Sequence, residues 1–160
     1  MPEFWDVYDK DRRKTGKIQE RGKPAPEGAY RLIVHIWLMN EKEELLLTRR
    51  HPQKPWGGLW ECTGGSVLAG EDSLHGAVRE VREEVGIILD PAAGTLLDSE
   101  RSGDAFVDEW FFRMKNPVLV LQESEVIDAV FAAREQYDEM IRKGLLVPVI
   151  PYFYDLISKK

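Results

Sequence analysis

One stretch constrains this chain more than any other: Gly65 to Ile87, which reads GSVLAGEDSLHGAVREVREEVGI. At about 100° per residue, Leu74, Ala77, Val78, Val81 and Val85 fall on one side of a helix and form an apolar stripe that can dock on a core. Glu80, Glu83 and Glu84 fall on another side, clear of that stripe. Carboxylates four apart on a helix repel by roughly 0.2–0.5 kcal/mol a pair. These also crowd towards the C-terminal end, where the helix dipole disfavours negative charge. Two local rules broken together mark a candidate functional site, and the simplest compensation is a divalent cation. Read on charge alone, the same residues make a solvated helix face, with Arg79 four residues before Glu83 and Arg82 alongside.

The wider spacing decides between those readings. Gly65, five residues, Glu71, seven residues, then Arg79-Glu80-Val81-Arg82-Glu83-Glu84-Val85-Gly86-Ile87 resembles the Nudix box at every specified position. With residue frequencies near 5–7%, chance agreement is on the order of one in a hundred million. The resemblance implies an α+β fold, a Nudix-type α/β/α sandwich with a mixed β-sheet. It implies a hydrolase that cleaves the diphosphate bond of a nucleoside diphosphate linked to another group, using Mg²⁺ or Mn²⁺. It also implies roles. Glu80, Glu83, Glu84 and the Gly64 carbonyl would hold the metal, with Glu83 or Glu80 activating water. Arg79 would orient a glutamate, Glu71 would brace the loop–helix junction, Gly65 would allow a tight turn and Gly86 would stop the helix.

A second resemblance runs through Trp5-Asp6-Val7-Tyr8-Asp9, Thr15-Gly16, Trp37-Leu38-Met39-Asn40, Leu45-Leu46-Leu47-Thr48-Arg49-Arg50 and Gly58-Leu59-Trp60. These segments are similar to the Nudix branch that contains isopentenyl-diphosphate isomerase. That enzyme uses a cysteine just before a Gly-His-Pro stretch, where this chain has Gly64-Gly65-Ser66-Val67, and Cys62 comes too early. Its metal-binding histidine is here Arg31. The reading is therefore an isomerase-like hydrolase. Prenyl-diphosphate isomerisation, or nucleotide binding without catalysis, are the alternatives.

The rest of the chain reads as one domain, a Nudix core over 29–160 preceded by a hairpin and loop extension over 1–28. Phe4–Tyr8 and Lys17–Gln19 are expected to pair across a polar turn whose cations, Arg12, Arg13 and Lys14, are expected to be solvated. The aromatics of this extension offer a possible homodimer edge. Tyr30 to Met39 reads as a central strand with His35 hydrogen-bonded in the core, and Glu44–Arg49 as its hairpin partner. Arg49, Arg50 and Lys54 open a loop and are candidates for holding phosphate oxygens.

After the helix, capped by Asp72 or Ser73 and interrupted by Gly76, strands are expected at Thr95–Glu100, Phe106–Met114, Val118–Leu121 and Glu125–Ala132. Helices are expected at Arg134–Lys143 and Tyr152–Ser158. Asp108 or Glu109 could add a carboxylate to the metal site, or simply stand where a strand leaves its turn. The formal charge of −6 argues against a nucleic-acid polymer as partner and leaves room for a small diphosphate substrate. One cysteine, no apolar run long enough to span a membrane and a start without a signal core together predict a cytoplasmic protein without membrane contact.

Overall fold

The computed structural model describes residues 1–115 and 117–160. Strand β3, Arg31–Met39, is the centre of the sheet. It runs parallel to β8, Ala105–Arg113, along its whole length, and β8 pairs in turn with β7, Thr95–Ser102. On the other side β3 meets β4, Leu45–Arg50, only at Met39↔Leu45, where Asn40 closes the turn by accepting from the Lys42 and Glu44 amides. The expected hairpin therefore forms only at its tip. Beyond it the strands part: β3 takes β6, Thr63–Ser66, as neighbour, while β4 pairs with β5, Trp60–Glu61, and β9, Val126–Ala132.

Helices cover both faces, because alternate residues of the central strands are apolar on each side. Leu32, Val34, Ile36 and Leu38 join Phe106 and Phe112 under α1, Ser73–Val85. Trp37, Met39 and Phe111 face the other way with α2, Arg134–Arg142, and α3, Phe153–Ser158. The outcome is the expected α/β/α sandwich. No helix among the described residues is long and apolar enough to cross a membrane.

Three elements differ from expectation. The segment Val118–Leu121 is not a strand; the Val120 and Gln122 amides instead donate to the last carbonyls of α1, Val85 and Glu84, each at 2.9 Å. Those carbonyls lack intrahelical partners, so the segment satisfies them in place of a sheet neighbour. The N-terminal pair is longer than expected, with β1, Phe4–Tyr8, against β2, Lys14–Glu20. Two of its aromatics pack onto the chain itself: Tyr8 is buried, and Trp5 lies under the Arg31 guanidinium.

The turn between β1 and β2 carries the third correction. Arg12 is not solvated. It adopts a left-handed φ of 61° and grips both oxygens of Asp108 at 2.7 and 2.6 Å. Asp108 is 1% exposed and also accepts from the hydroxyls of Ser99 and Ser73. Burial raises its pKa, but Arg12 and the two hydroxyls more than offset that and hold it below the ordinary carboxylate value.

Candidate active site

The wedge between β3–β6 and β4–β5 is a cleft of about 360 Å³. Helix α1 brings its glutamates to one wall. Asp72 caps the helix by accepting from the His75 amide at 2.8 Å, while Ser73 is turned to Asp108 instead. Gly86, at φ 75°, ends it in the left-handed conformation that glycine adopts without strain. Ala77, Val81 and Val85 are fully buried, as the stripe requires. Gly76 permits close approach: a Cβ there would sit 2.9 Å from Val67.

Arg79 ties the motif together. Its Nε and Nη2 donate to Glu71 at 2.7 and 3.0 Å, Nη2 also reaches the Ser66 carbonyl, and Nη1 donates to both Glu80 and Glu83 at 3.0 Å. Glu71 in turn accepts from the Leu68 amide at 2.8 Å, which braces the junction between loop and helix. Gly65 is not a turn residue. It lies inside β6, and a Cβ there would fall 2.3 Å from the Glu80 carboxyl carbon. Without a side chain at 65, that carboxylate fits against the strand.

The three glutamates differ in their surroundings. Glu83 is exposed at the mouth, whereas Glu80 is half-buried and pushed up to about 7 by burial, partly countered by Arg79. Glu84 is not clear of the apolar stripe. It is 8% exposed beside Val81 and Val85, and its pKa is raised well above the ordinary value by burial and then by Glu80. Among the described residues no three His, Cys, Asp or Glu side chains already enclose an ion-sized space. Glu80 and Glu83 share the Arg79 Nη1 donor.

Four cations line the same cleft. Arg50 donates to Glu61 at 2.6 Å, Lys54 is paired with Glu125, and Arg21 is paired with Glu3 at 2.7 Å. Arg31 completes the set. Arg49 does not belong to it: its side chain is turned to the Gly58 carbonyl and the Trp60 ring. Neither candidate carboxylate of β8 joins the glutamates. Asp108 faces α1 and is consumed by Arg12. Glu109 faces the opposite side, where its oxygens bind His35 Nδ1 at 2.6 Å and Trp37 Nε1 at 2.8 Å.

Glu3, Arg21, Glu61 and Glu125 were not singled out from the sequence, because each reaches the cleft from a separate segment with no shared spacing. Cys62 is fully buried in the core beside β5, and burial pushes its thiol well above the ordinary value.

A carboxylate-bearing helix set against a glycine strand, in a sheet covered on both faces, defines a class, and comparison with known proteins identifies it. The NUDIX domain model matches residues 29–151, and the chain belongs to the Nudix family. An uncharacterised Nudix hydrolase of Listeria monocytogenes is 35% identical, covering 95% of this chain and 90% of its own. An isopentenyl-diphosphate Delta-isomerase of Shigella flexneri is 29% identical over 75% of this chain and 60% of its own. A crystal structure from Deinococcus radiodurans superposes with a TM-score of 0.75 at 21% identity, over 91% of this chain and 92% of that one. A Francisella tularensis bifunctional NMN adenylyltransferase/ADP ribose pyrophosphatase, crystallised with AMP and a manganese ion, superposes at 0.58 with 18% identity, over 72% and 38%.

Proposed function

We propose that this chain hydrolyses the diphosphate bond of a nucleoside diphosphate derivative with a divalent cation, Mg²⁺ or Mn²⁺. The observation that carries the reading is Glu84, a buried carboxylate with no hydrogen-bond donor or ion-pair partner among the described residues. Burying such a group is costly, and Glu80, Glu61 and Glu125 push its pKa further up while Lys54 alone pulls it down. Glu80, Glu83, Glu84 and the Gly64 carbonyl offer only oxygen donors, which suits a hard cation. The glycine at 65 leaves the space that the Glu80 carboxylate occupies.

A bound cation would neutralise the diphosphate, polarise its phosphorus–oxygen bonds and lower the pKa of a water molecule. The chain's own residues do the rest. Arg50, Lys54, Arg21 and Arg31 hold and orient phosphate oxygens by charge-assisted hydrogen bonds. Glu83, with 47% of its side chain open to solvent, takes the proton of the water that attacks phosphorus as the bridging oxygen leaves. Arg79 keeps Glu71 and the Ser66 carbonyl of β6 in register with the helix.

Turnover of nucleotide sugars, dinucleoside polyphosphates, coenzymes and oxidised nucleotides with Mg²⁺ or Mn²⁺ tests this. Glu83→Gln and Glu84→Gln are each expected to lower kcat by about 10²-fold or more. Turnover untouched by both would remove these residues from the mechanism. The isomerase reading draws on the N-terminal similarity, yet the sole cysteine is sealed in the core and Arg31 stands at the histidine position. Conversion of isopentenyl diphosphate at an enzymatic rate would restore it.

A further inference from the structure

The sheet row that carries Gly64 continues past it. Gly64 of β6 lies opposite His35 of β3, His35 opposite Glu109 of β8, and Glu109 opposite Asp98 of β7. A neighbouring row runs from Ile33 through Val107 to Glu100. Ile33 and His35 line the glutamate cleft; His35, Val107 and Glu109 line a second cavity of about 240 Å³, walled by Pro148–Pro151. The two hollows thus share one floor, with the His35 ring at the join.

Their charge balance differs. The first sets four cations among six glutamates. The second presents Asp98, Glu100 and Glu109 and, His35 aside, no cation; Lys159 reaches Asp98 at 3.1 Å from outside the lining. Glu109 is 4% exposed and cannot swing away, because both its oxygens are held by His35 and Trp37. An anionic group in this cavity would meet like charge in a partly desolvated setting. A hydroxyl-rich ring would find acceptors along one side and, on the other, an apolar wall for its C–H face.

We propose that the second cavity holds the organic group carried by the diphosphate and selects a neutral, hydroxyl-rich group, a sugar or ribose, over one bearing a carboxylate or a further phosphate. This rests on the diphosphate reading, which places the phosphates next door. Two matched pairs test it: UDP-glucose against UDP-glucuronate, and NADH against NADPH, whose members differ by one anionic group at one end or the other.

Binding is measured by calorimetry with Mn²⁺, and cleavage is followed separately. The less anionic member of at least one pair is expected to bind roughly tenfold or more tightly. Glu100→Lys, at an exposed position of the edge strand, should bring that ratio below about threefold, with Glu100→Gln between. Equal binding within both pairs, a ratio unmoved by Glu100→Lys, or binding of none of the four overturns the assignment. Discriminating binding without cleavage upholds the cavity and removes the hydrolase reading instead.

Discussion

Gly65 sits in extended backbone, so nothing about its dihedral angles demands glycine. What demands it is the Glu80 carboxylate, whose carbon and one oxygen would both lie 2.3 Å from any Cβ. The obstructed atoms are the far end of a flexible side chain, so the strand can stay and the carboxylate must move. Gly65→Ala is therefore predicted to cost less than about 1 kcal/mol of stability while weakening Mn²⁺ binding by roughly 10- to 100-fold. Thermal unfolding and a manganese titration by electron paramagnetic resonance separate the two. Unchanged manganese affinity would show that Glu80 does not need the space. The sequence spacing located this glycine but assigned it to a turn, because a letter pattern fixes separation along the chain and not what approaches from another element. The same limit hid the burial of Glu84, which lies next to the apolar stripe and looks solvated on a coarse wheel.

At the scale of elements, the parts with a local period were legible. Helix α1 and strand β3 announce themselves through spacings of 3.6 and 2 residues, and both fall where expected. The N-terminal hairpin was legible as a hairpin but not as part of the site. Its anchor, Arg12 to Asp108, joins positions 96 apart in sequence, and no local pattern reports such a pair. Once anchored, the hairpin sets Glu3 and Arg21 at the cleft mouth, where each is about half exposed and the pair is worth little to stability. Arg21 can therefore exchange Glu3 for a phosphate oxygen at small cost, and Glu3 competes with substrate. Arg21→Gln is expected to raise KM for a diphosphate substrate about three- to tenfold, and Glu3→Gln to lower it. A pair that only held the hairpin in place would give changes of the same sign in steady-state kinetics.

Over the whole molecule, the cleft sets how stability depends on pH. Without a divalent ion, Glu80 is raised from 4.5 to about 7 by burial, and Glu84 is raised well above 4.5. A carboxyl raised in the folded state binds its proton more tightly there than in the unfolded chain. Its stabilising contribution is complete below 4.5 and is lost as pH climbs through 7. Asp108 works with the opposite sign, but its contribution disappears only as pH falls below the ordinary aspartate value of 3.8, outside that window. Between pH 5 and 8 the metal-free protein should therefore lose stability, by at most about 3 kcal/mol from Glu80, or roughly 6–12 °C in Tm. A divalent cation favours the ionised carboxylates, so saturating Mn²⁺ should flatten the profile and raise Tm most at the alkaline end. Scanning calorimetry across this range, with chelator and with Mn²⁺, reads both effects. A chelated profile that does not fall, or a manganese shift as large at pH 5 as at pH 8, would mean that the buried glutamates are not what the ion binds.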